Sequence, residues 1–179
     1  MSFEEIRVIT IVYLAVFLPL LIYFTNRSKL PTWIPSFYIV SIVVCALGWE
    51  LWFTYGWLDG DAVNIRRSEA LNTWLPKNIN WLMNSMGDAG AVLCGGVWLM
   101  WITHKKDPIV FKKWKWSAFS IFLIWCIGQN ILVEMFLYHD QLADDKLLSW
   151  APLSPFGPYF NPILFEFNDR SIMLQSQMP

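Results

Sequence analysis

The sequence predicts an all-α, polytopic integral membrane protein: a four-helix bundle followed by a Pro/aromatic-rich interfacial C-terminal tail. Three observations predict it. Hydrophobic residues make up 56% of the 179 and charged residues only 15%, a balance foreign to soluble domains. The apolar residues gather into four runs, each long enough to cross a hydrocarbon core of about 30 Å. The basic residues concentrate in alternate connections, as the positive-inside rule requires of a multi-pass chain.

The first run, 6–24, carries only Arg7 near its start and Pro19 within it. Glu4 and Glu5 precede it instead of a basic cluster, and no small-residue cleavage site follows. It therefore reads as a spanning helix kinked at Pro19 and not as a signal peptide. The next turn holds Arg27 and Lys29. The second span is expected over 36–57 as one helix. The connection after it, to Lys77, reads as polar, with Asp59, Asp61 and Glu69 balancing Arg66, Arg67 and Lys77. The third span covers 79–103. Loop three follows with Lys105, Lys106, Lys112, Lys113 and Lys115 against Asp107 alone. The fourth span covers 116–138.

Residues 1–140 then form the bundle, and 141–179 form a tail. Trp150 to Pro162 holds four prolines, which rule out a spanning helix there and suggest an interfacial cover. Ile163 to Phe167 and Ser171 to Gln175 could pair as a short hairpin about the turn Asn168-Asp169-Arg170. The lysine-rich loop three and the basic first loop belong in the cytoplasm. Both termini then lie on the non-cytoplasmic side. The 12 Trp, 13 Phe and 6 Tyr suit interfacial belts.

Glu50 is the most informative residue. It lies inside span two with no basic residue within two helical turns, among Trp49, Trp52, Phe53 and Trp57. A carboxylate at membrane depth costs roughly 2.5–3.5 kcal/mol on insertion scales and by default marks a functional site with a partner elsewhere. A rise of 1.5 Å per residue places Glu50 roughly 10 Å deep, Asp88 roughly 13 Å deep and Glu134 roughly 6 Å deep, all from the same face. Asn80, Asn84 and Asp88 share one helical face with Ala91 and Gly95, and Asn130, Glu134 and Tyr138 share another. The expected site is an outward-opening pocket. Glu50, Asp88 and Glu134 are its catalytic acids, and Trp49, Trp52, Phe53, Trp57, Asn84, Asn130 and Tyr138 contact the substrate. The structural alternative is that these groups only hydrogen-bond helix to helix. Gly87, Gly90, Gly95 and Gly96 let neighbouring helices approach span three.

Other chemistries find no support in the chain. Cys45, Cys94 and Cys126 lie apart in apolar runs, an odd count without metal spacing, and read as small core residues. No metal site and no cofactor is expected. His104 and His139 fall at opposite membrane faces. There is no phosphate-binding glycine loop and no serine elbow. A net charge of −1 gives no field for nucleic acid. Carboxyls, amides and aromatic faces suit protonation of an alkene and stabilisation of a carbocation. The expected partners are membrane lipid and a hydrophobic small molecule, with homo- or hetero-oligomerisation left open.

Glu50-Leu51-Trp52-Phe53 with Tyr55 and Asp59-Gly60-Asp61 resembles the acidic second span of the emopamil-binding, or EXPERA, superfamily. Asp88, Gly95-Gly96 and Asp107-Pro108 resemble its third span and basic loop. Gly128-Gln129, Glu134 and Phe136-Leu137-Tyr138 resemble its fourth. The likeness runs from Cys45 to Asp140. It implies a sterol isomerase, or a non-catalytic lipid binder of the same superfamily, with Glu50 and Asp88 as the acid/base pair. Ala46 stands where those isomerases carry a His, and the fifth span that completes their site is expected only beyond Pro179. Trp49-Glu50 is also similar to the Trp-Glu pair of integral-membrane terpene cyclases. Both likenesses imply an isomerase or cyclase protonating a sterol- or isoprenoid-like lipid. The alternative is a lipid-binding or membrane-complex accessory subunit.

Overall fold

A serine cap opens the first helix: the Glu5 N–H donates to Ser2 Oγ at 3.2 Å, and the Ser2 N–H to Glu5 Oε2 at 2.7 Å. That reciprocal pair serves two of the donors left free at a helix start. The computed structural model describes residues 1–56, 61–143, 146, 163–167 and 170–173, leaving aside the side chains of Glu134, His139, 167 and 170–173. Helix α1 runs Phe3–Asn26 without interruption through Pro19. Helices α2 (Ile34–Leu47) and α3 (Trp49–Tyr55) follow, then the short α4 (Val63–Arg66) and α5 (Glu69–Trp74). Helix α6 (Lys77–Gly87) passes through a π-helical segment, Asp88–Cys94, into α7 (Gly95–Thr103). Helix α8 (Trp116–Leu132) widens likewise over Val133–Leu137 and ends in α9 (Tyr138–Asp140).

Among the described residues, three helices are long and apolar enough to cross a membrane: Phe3–Asn26, Lys77–Thr103 and Trp116–Leu137. The pair α2 and α3 supplies a fourth crossing if it is one span, bent by 47° at Gly48. Leu21, Ile39 and Ile124 are each 60% exposed or more. Outward apolar side chains along whole helices are the pattern of a lipid-facing surface.

The Lys77–Thr103 helix is the centre, with α1, α2, α3 and α8 packed on it. Its glycines permit this. A Cβ on Gly90 would lie 3.1 Å from the Ala15 carbonyl oxygen and 3.1 Å from Pro19 Cγ. Pro19 has no N–H to give the Ala15 carbonyl four residues back, and that unserved carbonyl lies against Gly90. On the other side, a Cβ on Gly96 would be 2.7 Å from the Phe122 ring.

The ends alternate as the basic loops predict. At one end Arg7 pairs with Asp140, Ser68 donates to Glu5, and Tyr13 donates to the Trp74 carbonyl at 3.0 Å. At the other, the Trp33 and Phe111 rings meet at 5.7 Å, and Leu30 packs with Trp101, Val110 and Ala118.

Several expectations need correction. Span two is broken instead of continuous. A Cβ on Gly48 would stand 2.7 Å from the Val44 carbonyl oxygen, so the chain makes this bend only because residue 48 has no side chain. Gly48→Ala is expected to cost about 1–3 kcal/mol, read as a lower melting temperature in detergent. An unchanged melt would show that the bend does not depend on glycine. The polar connection after span two is not a solvated loop: it folds as α4 and α5 and buries Val63, Arg66, Arg67, Leu71 and Leu75. The short hairpin expected in the tail is present beside the mostly helical fold. Strands β1 (Ile163–Phe167) and β2 (Arg170–Met173) pair antiparallel with Phe167 opposite Arg170. The second strand thus starts one residue before its expected place, and β2 rests on Val133–Leu137. The expected proline-rich cover over 150–162 lies outside the described residues, as does Trp57.

Candidate functional site

The break at Gly48 starts a new helix two residues before Glu50, so Glu50 sits in the first turn of α3 and is only 4% exposed. In an unbroken helix its N–H would serve the Ala46 carbonyl. That carbonyl accepts instead from Trp81 Nε1 at 2.8 Å. Other bonds hold α3 against the central helix. Trp49 Nε1 donates to Asp88 Oδ2 at 2.7 Å, and Tyr55 donates to Asn78 Oδ1 at 3.0 Å. At its far end Gly56, in the left-handed conformation at φ 69°, returns its N–H to Trp52, a cap that glycine forms without strain.

Glu50 Oε2 accepts from Thr54 Oγ1 at 3.3 Å, and Asn84 shares the cavity wall with this carboxyl. Asp88 and Arg66 both lie close enough for their charges to act on it. Arg66 brings a buried cation to this side of the bundle, and its field reaches Glu50. Its guanidinium is buried, donates through Nη2 to the Phe53 carbonyl, and stacks 4.7 Å over the Phe53 ring. The Tyr138 ring lies 4.9 Å from that of Phe53. Arg67, beside it, donates to Asn80 Oδ1 at 2.7 Å, the Leu75 carbonyl at 2.6 Å and Asn72 Oδ1 at 3.2 Å. Burial pushes both guanidinium groups down to about 10. For Arg66, Tyr138, Asp61 and Glu50 act in the opposite sense; for Arg67, its neighbour Arg66 adds to the effect. Both remain cations at neutral pH.

Below this layer the helices enclose a cavity of about 850 Å³, within the range of small-molecule sites. Its walls are mostly apolar side chains of α1, α2, α7 and α8. The Asn80, Asn84, Asp88, Ala91 and Gly95 stripe lines it as one face, joined by Glu50, Gln129, Tyr138 and Gln141. Gly87 and Gly90 meet Ala15, halfway along α1. Asp88 is therefore near the middle of the bundle, and the cavity extends past it in both directions.

Of the residues singled out from sequence, Glu50, Phe53, Asn84, Asp88 and Tyr138 line this cavity. Trp49 reaches it through Asp88. Trp52 and Asn130 are not on its wall. The side chain of Glu134 and all of Trp57 lie outside the described residues, so convergence is established for Glu50 and Asp88 alone. Sequence reasoning missed Arg66 and Arg67, which it took for balanced charges of a polar connection. The available signal was an intramembrane acid with no counter-ion on its own helix. The interfacial reading of the tryptophans also needs correction at Trp81 and Trp125. The indoles of Trp49, Trp81 and Trp125 donate inside the bundle. Trp125 Nε1 serves the Ala91 and Val92 carbonyls at 3.0 and 3.1 Å, in the π-helical segment. Among the described residues no group of three metal-ligating side chains comes together. Comparison with protein-family models, with curated proteins and with solved structures finds no match.

Proposed function

We propose that this is a membrane protein whose cavity takes one sterol- or isoprenoid-like lipid, and that Glu50 and Asp88 act on an alkene of that lipid as an isomerase or cyclase would. The observation that carries the reading is the presence of two carboxyls, Glu50 and Asp88, on the wall of a large and mostly apolar cavity. In the proposed step the Glu50 O–H proton goes to one alkene carbon, and the π electrons become the new C–H bond. The cation left on the neighbouring carbon lies near Tyr138, whose ring face attracts positive charge. Asp88 then removes a proton from an adjacent carbon, and that C–H pair becomes the new double bond. Proton return from Asp88 to Glu50 closes the cycle.

A second reading has support of its own. Glu50 already bonds Thr54, and Asp88 already bonds Trp49. Acids so occupied can serve as fixed polar contacts in a non-catalytic lipid-binding or accessory subunit.

The test uses the purified chain in lipid nanodiscs with a panel of sterols and linear isoprenoids. Retention is read by native mass spectrometry, and conversion by chromatography of the extracted lipid. Retention with a shifted double bond or a closed ring supports the isomerase or cyclase. Retention of unchanged lipid supports the binder. No retention of any member by the folded protein would overturn both.

A further inference from the structure

The end of the bundle away from Arg66 carries a strongly one-sided charge. Arg27 and Lys29 come from the first loop, and Lys105, Lys106, Lys112, Lys113 and Lys115 from the third. All but the half-buried Lys115 are exposed. Asp107 is the lone acid within these two loops, and its carboxylate is engaged by the Ile109 N–H at 2.9 Å. Among the described residues none of the seven cations enters an ion pair.

The backbone presents two of them in an unusual way. Helix α7 closes with the Lys106 N–H on the Trp101 carbonyl at 2.9 Å and the Lys105 N–H on the Ile102 carbonyl at 3.1 Å. This closure puts Lys105 at φ 58° and Lys106 at φ 61°. Glycine adopts that conformation freely, and lysine does so under strain. Two lysines are nevertheless held where glycine would make the better cap. Flanking Lys115 in the chain, Trp114 and Trp116 are 66% and 71% exposed, their rings perpendicular at 5.2 Å. Exposed indoles next to exposed cations match the level of a bilayer at which ring and headgroup meet.

We propose that this end is a binding surface for anionic phospholipid: Trp114 and Trp116 lie at headgroup level, and the unpaired cations of the two loops take the lipid phosphates. The inference is independent of what fills the cavity. A polybasic segment at a membrane surface gains about 1 kcal/mol per cation, or about fivefold, and loses it with salt.

The test is retention of phosphatidylglycerol over phosphatidylcholine by the full chain in mixed nanodiscs, read by native mass spectrometry after extraction. The wild type should retain phosphatidylglycerol preferentially at low salt and lose the preference at high salt. K105G/K106G should melt at or above the wild-type temperature in phosphatidylcholine, because glycine relieves the cap. It should retain phosphatidylglycerol about fivefold less for each lysine removed. Lys112→Gln with Lys113→Gln, at exposed positions, gives the same reading should the cap variant fail to fold. Equal retention of both lipids by the wild type would overturn the proposal and leave the lysines as orientation signals. Co-purification of nucleic acid in place of lipid would overturn it as well.

Discussion

Arg66→Met should lower the stability of the protein by about 3–5 kcal/mol, the cost of removing one partner from a buried charged network. The size follows from what the guanidinium serves. It donates to the Phe53 carbonyl, covers the Phe53 ring and lies within the field of Glu50. Methionine fills most of the volume but leaves the carbonyl without that donor and Glu50 without that cation. For a chain of this length each kcal/mol moves the melting temperature by roughly 2–4 °C, so a fall of about 10 °C in detergent is expected. Arg66→Lys keeps the charge without the planar fork and should fall between. An Arg66→Met melt within a degree of the wild type would show that Arg66 carries no part of the site's integrity.

Glu50→Gln is expected to separate chemistry from architecture. Glutamine has the same shape and can accept from Thr54, so folding and lipid retention should survive. It cannot deliver a proton. General acid catalysis typically contributes 10²–10⁴-fold, and turnover of a lipid that the wild type converts should fall by about that factor. Glu50→Leu is the contrasting change. It strands the Thr54 hydroxyl and the Arg66 cation, at about 1–3 kcal/mol for the neutral group left unpaired, and should lower the melting temperature. Wild-type turnover in Glu50→Gln would end the proton-donor reading. A wild type that retains lipid unchanged, matched by Glu50→Gln, would favour the binding subunit.

The spans were legible in the sequence because lipid demands long apolar runs, and those are visible residue by residue. The Asn80, Asn84, Asp88 face and the glycines under α1 and α8 were legible for a related reason. Polar and small residues in such runs are rare enough for their spacing to be informative. The bend at Gly48 was not, since Gly48 looks like any of the other span glycines until the Val44 carbonyl is placed 2.7 Å from its missing Cβ. Arg66 and Arg67 were hidden by a sound rule misapplied: charge-balanced polar segments are usually solvated. Here Leu71 and Leu75 anchor the segment onto α1 and draw the arginines inward with it. The indole donors were hidden because tryptophan's usual place in membrane proteins is the interface. Where a helix is broken or widened within lipid, freed carbonyls need a donor and water is absent. Trp81 and Trp125 meet that need.

The widened turn at Asp88–Cys94 sets a phase relation along the central helix. Upstream of it Gly87 faces α1, and downstream Gly95 and Gly96 face α8. A π-helical turn accommodates about one residue more than an α-helical turn. Winding the same residues as ordinary α-helix would therefore rotate the downstream half by about 100° and swing the Gly95–Gly96 seat away from Trp125 and Phe122. Deleting one residue from the widened turn has the opposite consequence: the helix can revert to regular winding with both seats still aimed at their partners. Chain length in this stretch can vary by a single residue without scrambling the bundle, provided the winding changes with it.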